Sequence, residues 1–167
     1  GQLKAGLRAD FALWPVAQAL IQHSNITVIT NNMNVANILT ANPGCEIMVA
    51  GGALRRSDGG LVGELATQFI EQFKVDYAII GTSALDLDGD MLDYDLAEVR
   101  VSRAILRQAR QSCLVSDHSE LGRSAPARIA SLSEIDTFFT GLPLPSPLAE
   151  RCAEWGTEVR LCGTGPA

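Results

Sequence analysis

Histidine is scarce in this chain, and the two present, His23 and His118, stand beside no serine or cysteine in a recognisable nucleophile motif. A catalytic triad is therefore not supported. The four cysteines, Cys45, Cys113, Cys152 and Cys162, are widely spread and never fall in a C-x-x-C spacing. Neither a zinc ribbon nor a dithiol redox motif follows from them, and a reduced, cytoplasmic compartment is expected. No apolar run approaches the roughly 18 residues of a membrane span, and no signal peptide is read. Basic side chains are in the minority, 13 against 19 acidic, for a net charge of −6. A domain of that charge is not expected to hold a nucleic-acid backbone by itself. Neither a G-x-G-x-x-G nor a Walker A pattern is present, so a nucleotide fold is not supported.

What is present is a globular composition, 47% hydrophobic over 167 residues, enough for one domain with a real core. The chain starts at Gly1 without a methionine and is expected to be a piece of a longer protein with a domain upstream. Helical spacing runs over residues 14–23. The β-branched run Ile26–Thr30 predicts a strand that ends at the helix-capping pair Asn31-Asn32, and Val35–Leu39 continue as a helix. Cys45–Ala50 reads as the next strand, then a Gly-rich loop, then a helix over Glu64–Phe73. Tyr77-Ala78-Ile79-Ile80 has the look of a central strand buried on both faces. An acidic loop from Asp86 to Asp93 leads into a long helix starting near Asp95. Strands at Cys113–Asp117, Ile135–Thr140 and Glu158–Leu161, a polar loop at residues 118–126 and a helix at Leu148–Trp155 complete the expectation, with residues 163–167 as a tail. The proline-rich stretch Leu142–Pro147 is a stiff connector that starts this last helix. Strands alternating with helices predict an α/β domain with a mostly parallel sheet.

In such a sheet the carboxyl ends of the strands gather on one side, where ligands bind. Three turns are expected there. Thr30, Asn31 and Asn32 open a helix, where backbone N–H groups attract anions; plain capping is the simpler reading of that site alone. Gly51 and Gly52 let backbone approach a ligand, with Arg55 and Arg56 following as surface arginines. Gly81 and Thr82 close the Tyr77 strand and form the floor of a cleft. Asp86 to Asp90 fails the calcium-loop spacing, because its Gly falls fourth rather than sixth and Ala97 stands where Glu is required, so no metal is expected. Asp95, Glu98 and Ser102 share one helical face, placing carboxylates where they can grip hydroxyls or, with Asp86, move protons. Arg103, one step round from Glu98, is placed to reach an anion, while Arg107 and Arg110 read as a solvent face.

Read together, several stretches resemble one family. They are Val28–Asn32 with Val35-Ala36, Ala50–Arg55, Gly59–Gly63, Asp76–Gly81, Glu98-Val99-Arg100 with Arg103–Ile105, and Asp117-His118-Ser119 with Gly122-Arg123. In this order they are similar to the C-terminal sensor domain of DeoR-family bacterial transcriptional regulators. The resemblance implies the fold of ribose-5-phosphate isomerase, glucosamine-6-phosphate deaminase and CoA transferases, with helices on both faces of the sheet. It implies a phosphorylated sugar or polyol as effector, glycerol 3-phosphate foremost, and adds Asp117 to the ligand residues. It implies no cofactor and no catalysis. Operator DNA would be read by a winged helix-turn-helix outside this chain, in a homo-oligomer, dimer or tetramer.

Two departures bear on that expectation. Asp10–Pro15 occupies the place of the family's Asp-x-Gly-Thr-Thr phosphate cradle, and Glu120 stands where the family has Lys. Loss of hydroxyl donors and of a cation weakens an anion site, and a carboxylate there repels phosphate. Two rival readings follow: an isomerase- or deaminase-like enzyme using Asp86, Asp95 or Glu98, and an oligomerisation module that has lost its effector.

Overall fold

The computed structural model describes residue 16 and residues 21–162. The first unit is parallel: β1 (Ile26–Thr30) lies beside β2 (Cys45–Val49), Ile26 opposite Cys45 and Thr30 opposite Val49. They are joined through α1 (Met33–Leu39). A tight antiparallel hairpin follows, β3 (Ala53–Leu54) against β4 (Leu61–Val62), and then α2 (Glu64–Glu71). β5 (Val75–Ile80) leads into a second hairpin of β6 (Ala84–Leu85) and β7 (Asp90–Asp93). The long helix α3 (Leu96–Gln108) passes into β8 (Ala109–Ser116) without an intervening residue. A 3-10 turn at His118–Glu120, β9 (Ala127–Ser131), a second 3-10 turn at Leu132–Glu134, β10 (Thr137–Thr140), α4 (Ser146–Trp155) and β11 (Glu158–Leu161) finish the described chain.

The architecture is α/β with a mostly parallel central sheet, and four helices lie wholly within the described residues. Strands β11, β10, β8 and β5 form that sheet in that order, all parallel. β6, β7 and β9 make a smaller antiparallel sheet. α3 stands between two cores. Val99 packs with Leu85, Met91, Leu114 and Phe138, whereas Val101 and Ala104 pack with Val62, Ala66 and Ile70. One helix with apolar residues on two faces is thereby buried from both sides, which fixes the azimuth of its remaining, polar face.

The structure corrects several sequence expectations. Tyr77 is 63% exposed, and β5 is the edge strand of the four, so this run is buried on one side only. The acidic loop holds a hairpin: Met91 and Leu92 are buried between carboxylates whose low strand propensity hides the pattern. β9 follows the polar loop with only Ile129 and Ala130 as its apolar signal. The proline connector does start a helix, with Pro in the first turn of α4. All four cysteines are free. The helix expected over residues 14–23 lies largely outside the described residues, which include residue 16, in helix, and a turn at residues 21 and 22. Residues 163–167 lie outside them as well. No helix among the described residues is long and apolar enough to cross a membrane.

Candidate functional site

Strand β1 delivers two asparagines with divided duties. Asn32 is the cap of α1, its Oδ1 accepting from the backbone N–H groups of Asn34 (2.8 Å) and Val35 (3.0 Å). Its Nδ2 donates to the carbonyl of Asp58 at 3.1 Å, and Thr30 Oγ1 accepts from the Asn32 N–H. Asn31 instead turns across the sheet edge and donates through Nδ2 to the Leu61 carbonyl.

Both are laced to the loop that joins β3 to β4. Leu61 N–H donates to the Asn31 carbonyl, and Met33 N–H to that of Gly59. Within the loop, Arg55 N–H reaches the Gly60 carbonyl and Gly59 N–H that of Arg55, closing a compact turn. Gly59, at φ +77°, sits where a side chain would strike the Asn34 amide. The buried carboxylate of Asp58 accepts from the Gly60 N–H (2.9 Å) and from Arg55 Nε (3.2 Å), and its second oxygen is ion-paired to Arg55 Nη2.

The third wall is the start of α3. Asp93 Oδ1 accepts from the N–H groups of Tyr94 and Asp95, which orients the entry to the helix. Asp95 caps the helix through Oδ1 at 2.9 Å from Ala97 N, and its Oδ2 takes Arg55 Nη1 at 2.7 Å. Glu98, one turn in, lies against Gly60: a Cβ at that glycine would stand 3.3 Å from Glu98 Oε2. That oxygen is buried and has no hydrogen-bond partner among the described residues.

The charges are uneven. Burial works against the Arg55 cation, but Asp95, Glu98 and Asp93 more than offset it and raise its pKa. The Arg55 hydrogen bond holds the Asp95 carboxyl below its usual range. Burial pushes Glu98 up, aided by Asp93 and Asp95 and opposed by Arg55 and the Asn31 amide. The cluster is thus a fixed cation between two anchored carboxylates, beside a third carboxylate with an unfilled acceptor. Such an acceptor is costly when dry and is satisfied by a hydroxyl donor. Among the described residues no group of three or more His, Cys, Asp or Glu is arranged to hold a metal ion.

Thr30, Asn31, Asn32, Asp95 and Glu98 therefore come together, and Arg55, Asp58 and Asp93 join them. Sequence reasoning left Arg55 on the surface; the turn-forming Asp58-Gly59-Gly60 three residues on was the one signal that this loop folds back. Gly51 is exposed with open space around it, and Gly52, at φ +127°, packs onto β4, where a Cβ would lie 2.5 Å from the Val62 carbonyl oxygen. Gly81 is half-buried, and Thr82 is turned inward, its hydroxyl within 2.9 Å of the carbonyls of Ala84 and Leu92. Asp86 shapes the β6–β7 turn by accepting from the N–H groups of Asp88 and Asp90. Arg103 does not point along the Glu98 face; it is tied to the carbonyls of Arg128 and Ile129 on β9. Asp117 caps the 3-10 turn after β8, and that loop pairs with β6 through Leu121 and Gly122. Glu120, expected to face an anion, is fully buried and accepts from Ser116 Oγ at 2.8 Å. The Asp10–Pro15 segment lies outside the described residues.

Residues 11–141 match the family described as the DeoR C-terminal sensor domain. The chain is 43% identical over 160 residues to the glycerol-3-phosphate regulon repressor of Haemophilus influenzae, covering 95% of this chain and 62% of that protein. It is 42% identical over 147 residues to the repressor of the same name from Escherichia coli, covering 88% and 58%. An HTH-type transcriptional repressor of E. coli, CsqR, is 34% identical over 146 residues, 87% of this chain and 56% of its own. The chain thus spans about three fifths of the length of these relatives.

Proposed function

This chain belongs to the DeoR C-terminal sensor domain family, and on that premise we propose that it is the effector-binding part of a transcriptional repressor. Its effector is a phosphorylated sugar or polyol, with glycerol 3-phosphate first in rank because two relatives are repressors of that regulon. The observation that carries the reading is Glu98 Oε2, a buried acceptor without a partner beside the charged Arg55. A polyol hydroxyl donates to Glu98, and the Asn31 amide and the Arg55 guanidinium stand beside it. Operator DNA is bound through an upstream winged helix-turn-helix, in a homo-oligomer whose arms the effector repositions.

The test uses the full-length protein. Glycerol 3-phosphate is expected to raise its melting temperature and release operator DNA in a mobility-shift assay, while glycerol and inorganic phosphate alone do neither. If no sugar or polyol phosphate in a panel moves the melting temperature, the sensing role fails.

A second reading draws on one observation: Asp95 and Glu98 are neighbours whose pKa values are pushed in opposite directions, the pattern of an acid–base pair. It requires turnover of ribose 5-phosphate or glucosamine 6-phosphate that is lost in Glu98→Gln. The repressor relatives favour the sensor.

A further inference from the structure

Beyond the Glu98 cluster, the second half of α3 and strand β9 enclose a cleft of about 420 Å³. That is the size of a small-ligand site. Leu106 gives it an apolar contact, and three arginines enter it: Arg103 and Arg107 from successive turns of α3, and Arg128 from β9. Glu134 is the one acidic side chain in this lining, and its Oε2 is engaged by the Ser131 N–H at 2.8 Å. The lining carries three basic side chains to one acidic, in a chain with 13 basic and 19 acidic, and two of the arginines meet carboxylates outside the lining.

Of the three cations, Arg103 is held without being neutralised. Arg103 donates from Nε to the Ile129 carbonyl (3.0 Å) and from Nη2 to the Arg128 carbonyl (2.6 Å). Carbonyls fix the guanidinium without cancelling its charge, and Nη1 is left without a partner among the described residues. Arg107 touches Glu71 only at 3.7 Å, and Arg128 meets Asp90 at 3.1 Å; both arginine side chains are more than half exposed, their partners less so. Exposed pairs of this kind are weak and yield to a better anion.

We propose that the α3–β9 cleft binds a small multivalent anion, a phosphate ester or a polycarboxylate, at a site separate from the Glu98 cluster. The arginine fork matches phosphate and carboxylate oxygens in pairs, and one such group already has its orientation set by β9. Leu106, only partly buried, offers an apolar contact to the carbon frame that carries the charges. A concave site with its cation fixed from within suits a compact ion better than a long acidic segment.

Calorimetric titration of the full-length protein with pyrophosphate and with citrate, at low salt, tests this. One saturable site per chain is expected, weakened at least about tenfold in Arg107→Gln/Arg128→Gln and unchanged in Glu98→Gln. Both arginines are exposed, so the double variant keeps its fold, which circular dichroism checks; Arg103→Lys, keeping the charge but losing the fork, weakens binding too. Absence of saturable binding, or equal binding by the double variant, overturns the proposal. So does anion binding that is lost in Glu98→Gln, which assigns the ion to the other site. A change of oligomeric state in the double variant with anion binding intact also overturns it, in favour of a contact between copies.

Discussion

Arg55 and Asp95 are forty residues apart in sequence and 2.7 Å apart in space, Nη1 to Oδ2. Because Arg55 also holds Asp58, one guanidinium joins the β3–β4 hairpin to the first turn of α3. The stability of the site is expected to depend on this side chain more than on either carboxylate.

Arg55→Gln leaves Asp58 buried without its cation. A loss of about 2 kcal/mol is expected, from the cost of an uncompensated buried charge reduced for partial exposure. Asp95→Asn, at a more exposed position, is expected to cost below about 1 kcal/mol. Urea denaturation of the two variants gives the order; equal losses would remove Arg55 from its linking role.

The pH dependence has two parts of opposite sign. Asp95 is depressed from its ordinary 3.8, so its contribution is present above that value and is lost as pH falls through the lower folded-state pKa. Glu98 is raised from its ordinary 4.5, so the folded state binds more protons in the window above 4.5, and stability falls as pH rises through it. Glu98→Gln is therefore expected to stabilise the ligand-free protein at neutral pH and to make no difference below 4.5. Melting temperatures of both proteins across that range decide it; a variant less stable at neutral pH would contradict the burial argument.

Gly52→Ala places a methyl 2.5 Å from the Val62 carbonyl oxygen, at a φ of +127° that only glycine adopts freely. A loss of at least about 2 kcal/mol is expected without any ligand present. If the glycine served only a ligand's approach, the ligand-free variant would melt at the wild-type temperature.

Thr82→Val keeps the shape and removes a hydroxyl placed within reach of two carbonyls inside the β6–β7 hairpin. A destabilisation of about 1–2 kcal/mol is expected, with the effector's midpoint unchanged. A shifted midpoint with unaltered stability would return Thr82 to the pocket.

The helices carrying Val99 and Leu148 were legible because their apolar spacing is set by burial, and the strands at Ile26 and Glu158 because β-branched residues and turn signals bound them. Asn31, Asp95 and Glu98 could be placed at the site because each stands at a strand or helix end, where local chemistry betrays position. Arg55 could not, since what draws it inward is a carboxylate forty residues away and nothing nearby reports it. Thr82 was read as part of a cleft floor, and Glu120, through the resemblance, as a carboxylate at an anion site. Their burial depends on the Leu92 carbonyl in one case and on Ser116 in the other. The β6–β7–β9 sheet was hidden by its brevity and by its aspartates, which pair only once all three strands are present.

The junction of α3 with β8 has a mechanical consequence. Ala109 is at once the cap of a thirteen-residue helix and the first residue of an eight-residue strand. No loop separates them, so a displacement of the helix is handed to the strand at Ala109 itself. The helix start carries Asp95 and Glu98; the strand is clamped between β5 and β10. A displacement at the helix start therefore reaches the ladder of the sheet directly, after roughly 20 Å of helix.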